Sequence, residues 1–327
     1  MFRIGLIGLF LTLSMLFGSA FGQVRIAFVP QIQGIPYYVA MEEGGKAAAE
    51  QFGAVYTQQG PTSTNAADQL RIFESFINQR YDVIAVSPVE AQSLRPAITR
   101  ARNMGVNVMT SDADAPESDR QIYVAQALDQ DLGYTVLDEL VQRAGEDASI
   151  AIISDAPTIQ SLNNWIAAIQ ERAETTYPNV TIVSVQHTDG TTARAYQYAT
   201  DAMTAHPDLD GIIGIASTTC PGVAQAVEDA EKIGEVITTG YCSPNTVRSY
   251  VKSGAMPFSV LWSPYDLGYL TVWAGVQLSE GQDFTEMEGS IEVPGLANPV
   301  TYLADQRILL LGPPTVFTED NIDDFDF

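Results

Sequence analysis

Short runs of β-branched and apolar residues alternate with longer stretches whose apolar positions recur at helical spacing, and this alternation continues along most of the chain. It is the pattern of βαβ units, in which crossover helices cover a parallel sheet. Strands are predicted to begin near Arg25 (RIAFVP), Ala54 (AVYTQ), Asp82 (DVIAVS) and Val106 (VNVMTS), at spacings of 29, 28 and 24 residues. A second set begins near Ser149 (SIAIIS), Val180 (VTIVSV), Asp210 (DGIIGI) and Glu235 (EVITTG), at spacings of 31, 30 and 25. Between them lie amphipathic helices such as Leu70–Gln79, with Ile72, Phe73, Phe76 and Ile77 on one side. The rhythm occurs twice, so the chain reads as two similar α/β lobes, each a doubly wound parallel sheet.

The halves meet near Tyr123–Asp131, whereas Pro257–Glu280 and Ile291–Leu311 fit neither repeat and read as crossings between lobes. The expected division is a leader at 1–22, a first lobe at 23–126 plus about 260–290, and a second lobe at 127–259 plus about 291–327, joined by a multi-segment hinge. The leader reading rests on Arg3, the apolar run Ile4–Phe17 and the small residues of Gly18-Ser19-Ala20-Phe21-Gly22, with cleavage expected before Gln23. The run is short for a membrane span and no cysteine stands at the cleavage point, so a free, exported, periplasmic protein is expected, not a lipid-anchored one.

Composition narrows the partners. Sixteen Lys+Arg face 40 Asp+Glu, a net charge of −24, which repels a phosphate backbone and excludes nucleic acid as a natural partner. Only Lys46, Lys232 and Lys252 are lysines. So acidic a surface suits concentrated salt, where screening removes self-repulsion, and it also suits an ordinary acidic exported protein.

In open parallel sheets ligands bind beyond the carboxyl ends of the strands, so the residues there carry the functional reading. After the first strand come Gln31 and then Pro36-Tyr37-Tyr38; proline suits a helix start and places both tyrosines in the first turn at a cleft mouth. Such rings stack on the C–H face of a sugar, and they also serve as plain packing. After the fourth strand come Ser111-Asp112-Ala113-Asp114. A carboxylate here can accept from two adjacent hydroxyls of a neutral polyol, hold a hard cation or cap a turn. The second lobe offers the Asp155–Ser161 stretch with Ser161 at its end and Asn164 following, then Ala216-Ser217-Thr218-Thr219 and Tyr241-Cys242-Ser243, mostly neutral hydrogen-bonding groups suited to an uncharged ligand; Trp165, one turn from Ile169, reads as core. Trp262 at a proposed crossing fits either the cleft or hinge packing. Cys220 and Cys242, each after a strand, fit a disulfide beside the cleft or two free thiols.

Enzyme signatures are missing from the sequence. His187 and His206 form no zinc pair, there is no Cys-x-x-Cys and no nucleophile elbow, and Gly44-Gly45-Lys46 is followed by Ala47, without the hydroxyl of a phosphate loop. Asp112 and Asp114 as an acid–base pair is the one catalytic arrangement left. No cofactor and no metal is expected.

In order and spacing, Ile26-Ala27-Phe28-Val29-Pro30, Gly60-Pro61-Thr62, Phe76-Ile77-Asn78-Gln79, Ser111–Asp114, Ser243-Pro244-Asn245-Thr246-Val247 and Phe317-Thr318-Glu319-Asp320-Asn321-Ile322 with the closing Asp326-Phe327 resemble the type I periplasmic sugar-binding proteins of ABC importers. Within that family the sequence is most similar to the autoinducer-2-binding and rhamnose-binding branch. The resemblance implies two Rossmann-like lobes joined by three crossing segments, and a monomeric receptor that closes over a small neutral sugar or polyol and delivers it to an inner-membrane permease. It also implies a ligand role for Asp112 and ring stacking by Tyr37 and Tyr38. Autoinducer-2 binders place a lysine where this chain has Gln31 and an Asp-Gln pair where it has Ser161-Leu162; they carry Pro and Ala at the positions of Ile215 and Ser217. Sugar binders often carry an aspartate where this chain has Cys242. The implied cargo is a pentose, deoxyhexose or hexose, with autoinducer-2 uptake or a chemotaxis receptor as the alternative.

Overall fold

The computed structural model describes residues 22–287 and 289–327; the expected leader falls on residues that lie almost wholly outside this range. The first lobe begins β1 (Arg25–Val29), α1 (Pro36–Phe52), β2 (Val55–Gln58), α2 (Ala66–Asn78), β3 (Val83–Val86), α3 (Ala91–Asn103), β4 (Asn107–Ser111) and β5 (Tyr123–Ala125). The second comprises α4 (Asp129–Ala144), β6 (Ser149–Ser154), α5 (Gln160–Thr176), β7 (Thr181–His187), α6 (Thr192–Ala205), β8 (Gly211–Gly214), α7 (Cys220–Asp229), β9 (Ile237–Gly240), α8 (Pro244–Ser253) and β10 (Phe258–Leu261). Then follow α9 (Pro264–Ser279), β11 (Gly289–Ile291), β12 (Val300–Leu303), β13 (Ile308–Leu310) and β14 (Thr315–Thr318). Each of the eight strands read from the pattern starts within two residues of its expected position.

Local chemistry accounts for the elements. In α2 the Asn65 side chain caps the helix by accepting from the Ala67 and Asp68 N–H groups at 3.0 Å. Phe73, Phe76 and Ile77 on its inner face are fully buried, each worth roughly 1.5–3 kcal/mol of burial. The central strands are covered on both faces, and so β3 reads as an unbroken apolar run, every residue buried.

The first sheet has eight strands in the order β11-β12-β13-β5-β4-β3-β1-β2, and the second has four in the order β7-β6-β8-β9. β1 to β5 and β13 run parallel, while β11 and β12 form an antiparallel edge. An antiparallel pair, β10 and β14, adjoins the second sheet through a Tyr241–Val260 bridge. The backbone passes between lobes at 126–128, 262–263 and 311–314, as the connections of these sheets require.

This topology corrects one expected boundary. The sequence pattern places residues from about 291 in the second lobe, but β11–β13 hydrogen-bond into the first sheet, and only the stretch from β14 onward joins the second. Strands of three or four residues carry too short a pattern to declare which sheet they join; that is decided by which edge is open. Helix α9 also belongs to the first lobe, packing on α1 at a distance that only glycine allows. A Cβ at Gly44 would collide with the Tyr265 backbone, and one at Gly268 with the Met41 carbonyl. Among the described residues, no helix is long and apolar enough to cross a membrane.

Candidate functional site

A cavity of about 330 Å³ lies where the carboxyl ends of both sheets face each other. Volumes of about 300–1,000 Å³ are usual for small-molecule sites. The first lobe supplies Gln31, Tyr37, Tyr38, Thr62–Thr64 and Asp112; the second supplies Asp155, Ser161, Trp165, Asp189, Ser217, Thr218 and Tyr241; the crossing contributes Trp262. Ile32, Ile35, Ile159, Leu162, Ile215 and Leu261 complete an apolar lining.

Asp112 stands one residue beyond β4 with φ +70°, in the left-handed region that aspartate tolerates better than most residues. The turn is pinned by its own N–H, which donates to the Val124 carbonyl at 3.1 Å. Three hydroxyls donate to its carboxylate: Tyr37 (2.6 Å), Tyr38 (2.8 Å) and Ser87 (2.6 Å). Burial pushes the Asp112 carboxyl above its ordinary range, and the three donors act against that rise. The Tyr37 and Tyr38 phenols are driven well above their usual value, by burial first and by the neighbouring Asp112 charge second. A carboxylate has about four acceptor positions. With three taken, Asp112 in this geometry cannot grip two adjacent ligand hydroxyls as expected; it anchors the two tyrosines that form the wall.

The rings continue across the floor. Trp262 donates Nε1–H to the Tyr37 hydroxyl at 3.0 Å and meets the Tyr37 ring edge-on at 5.8 Å. Trp165 meets Trp262 at 5.7 Å and Tyr241 at 4.9 Å. An aromatic chain therefore runs from one lobe through the crossing into the other. Trp262 thus serves both cleft and hinge, and Trp165, read as core, is buried but also lines the cavity. Its orientation is set by Asp129, which accepts from the indole N–H at 2.8 Å. Burial raises the Asp129 pKa while the Asn164 and Trp165 donors oppose the rise.

Three expected site residues are elsewhere. Asp114 points away from the cavity into a bidentate ion pair with the buried Arg120 (2.6 and 2.7 Å) and accepts from the Thr110 hydroxyl, so its charge is spent on the turn. The Asp112–Asp114 acid–base pair therefore does not form. Asn164 lines a neighbouring groove and not the cavity, donating to Asp129 at 3.0 Å and accepting from Gln160 at 2.9 Å. Cys242 is fully buried and joined to Cys220 in a disulfide, with 6.2 Å between Cα atoms. It braces the loops after β8 and β9 from behind the lining. Gln31 reaches the cavity, with its side-chain amide donating to the Pro88 carbonyl at 3.0 Å. Among the described residues no cluster of potential metal ligands occurs.

Sequence reasoning named Asp155 and Tyr241 among the strand-end groups without singling them out as ligand residues, and it passed over Asp189 and Thr62–Thr64 as site residues. Asp189 lies just beyond β7, so the strand-end rule applied at that strand as well would have found it. Thr62–Thr64 lie farther along a loop and carry no such signal.

Residues 26–283 match the family described as "Periplasmic binding protein domain". The chain belongs to that family. As a periplasmic binding protein it is 26% identical over 265 residues to the D-allose-binding periplasmic protein of Escherichia coli (strain K12), covering 78% of this chain and 84% of that protein. Its fold superposes with a TM-score of 0.84 on an ABC transporter solute-binding protein from Clostridium phytofermentas with bound L-rhamnose, at 25% identity, covering 93% of this chain and 98% of the other. The same TM-score relates it to LsrB from Clostridium saccharobutylicum in complex with AI-2, at 23% identity, covering 93% and 100%. The two-lobed, parallel-sheet architecture expected of the type I fold is thus the one observed.

Proposed function

We propose that this protein is the receptor of an ABC importer for a monosaccharide or similar small polyol, holding it between the lobes and presenting it to a permease in the inner membrane. The observation that carries this reading is the cavity itself: aromatic faces and hydrogen-bonding groups drawn from both lobes and the crossing, at the carboxyl ends of two parallel sheets. A ligand that touches both lobes binds the closed arrangement more tightly than the open one and shifts the population towards it. The ligands named for the relatives, D-allose and L-rhamnose, are monosaccharides and support the same class. The receptor binds and releases its cargo without altering it.

Titration calorimetry in high salt against pentoses, deoxyhexoses and hexoses, D-allose and L-rhamnose included, tests the proposal, with saturable 1:1 binding to at least one sugar expected. Autoinducer-2 is a separate arm, because LsrB in complex with AI-2 shares this fold. Binding of autoinducer-2 with no response to any sugar would replace the sugar reading; no response in either arm would end the receptor reading.

A further inference from the structure

The charge lining the cavity is of one sign. Asp112, Asp155 and Asp189 face it and, among the described residues, no Lys, Arg or His does. Asp155 is 8% exposed, and its carboxylate accepts only from neutral donors, the Ala156 N–H at 2.6 Å and the Thr218 hydroxyl at 2.9 Å. Among the described residues neither Asp112 nor Asp155 forms a salt bridge; the His187 ring meets the Asp155 backbone carbonyl, not its side chain. Gly190 holds the Asp189 loop against Asp155. A Cβ there would stand 3.4 Å from one carboxylate oxygen and 3.7 Å from the other. Asp189 itself accepts from the Thr191 hydroxyl at 2.8 Å and meets the exposed Arg194 at 3.5 Å.

A buried charge is ordinarily compensated by an opposite one. Asp112 gains its compensation from three hydroxyls, but Asp155 keeps acceptor capacity and an uncancelled charge. Trp165, Trp262, Tyr37 and Tyr241 line the same cavity, and the faces of such rings attract cations. A neutral polyol closed into this space would donate hydroxyl hydrogen bonds to Asp155, as the protein's hydroxyls do to Asp112, but would bring no opposite charge. A ligand bearing an ammonium group would supply that charge, and its three N–H donors would meet a carboxylate that offers only acceptors.

We propose that the cargo is an amine-bearing sugar or polyol, held with its ammonium at Asp155 and Asp189 in the second lobe and its carbon skeleton against the aromatic floor. This inference rests on the receptor reading and narrows its substrate class. The test is calorimetry with matched sets that differ only at one carbon: D-glucosamine, N-acetyl-D-glucosamine and D-glucose; D-galactosamine and D-galactose; D-allosamine and D-allose. At least one free amine is expected to bind ten times or more tightly than its hydroxyl parent, and acetylation is expected to abolish the advantage. Asp155→Asn, which keeps an acceptor for Thr218, is expected to cut the amine-to-hydroxyl ratio at least fivefold; Asp189→Asn, at an exposed position, is expected to reduce it in the same direction. Equal or weaker binding of every amine than of its parent overturns the inference while leaving the receptor reading intact. Binding by no member of either class overturns both.

Discussion

Replacing Asp112 by alanine removes the acceptor shared by three buried hydroxyls, and the structure permits the cost to be worked. Tyr38 and Ser87 stand 3.2 Å apart and can bond to each other once the carboxylate has gone. Tyr37 still accepts from Trp262, but its own O–H is left without an acceptor, at about 1–3 kcal/mol. Alanine at φ +70° adds about 1–2 kcal/mol of backbone strain. Relief of the buried charge returns part of this, so a net destabilisation of about 2–4 kcal/mol is expected. Asparagine tolerates the left-handed conformation and keeps one acceptor oxygen, so Asp112→Asn is expected to lose less than half as much. Urea unfolding followed by tryptophan fluorescence is the assay, since Trp262 and Trp165 report on this wall. Equal losses for the two variants, or a loss below about 0.5 kcal/mol for alanine, would refute the account of Asp112 as the anchor of the tyrosines.

Other expectations follow from the same contacts. Reducing the Cys220–Cys242 disulfide, whose partners are 22 residues apart, should lower stability by about 3 kcal/mol through the loop it closes, measured as a shift in denaturation midpoint with dithiothreitol. Gly44→Ala would stabilise an ordinary helix interior by roughly 0.5–1 kcal/mol; here it should destabilise by about 1–3 kcal/mol, because α9 must retreat from the new methyl, and a raised melting temperature would contradict this packing. Because burial raises the Asp112 pKa, the native state holds a proton that the unfolded chain has lost in the window above about pH 3.9, so this group's contribution to stability falls as pH rises through it. The unfolding free energy of wild type relative to Asp112→Asn should therefore decline from about pH 4 upward, and a rise would reverse the sign. Asp114→Asn should weaken the fold through Arg120 yet change sugar affinity less than threefold in calorimetry; a larger change would return Asp114 to the ligand site.

Much of the architecture is legible in the sequence because it is written in local patterns. The start of α1 follows from Pro36, whose ring pre-sets the first helical φ, and this alone puts Tyr37 and Tyr38 at the cleft mouth. The candidate site is legible in its location and only partly in its members. Asp112 and Asp114 are two residues apart and alike in charge, and the strand-end rule treats them equally. Their separation into a cleft wall and a turn brace depends on Arg120, whose guanidinium claims Asp114, and on the left-handed backbone at Asp112. Cys242 and Tyr241 show the same ambiguity by one residue: one turns to the disulfide and the other to the cavity.

The succession of strands and helices through β1–β4 and β6–β9, the repeated lobe and the place of the cleft were determined by the sequence itself, since periodicity and helix-start chemistry act between residues close in the chain. The tertiary structure alone decided that β11–β13 close the first sheet, that Trp262 reaches a tyrosine 225 residues away, and that carboxylates from both lobes face a cavity lined by no basic side chain among the described residues. Those outcomes depend on which edges and charges are left open after the lobes have formed. Such openings belong to the assembled surface, and no stretch of the chain carries them by itself.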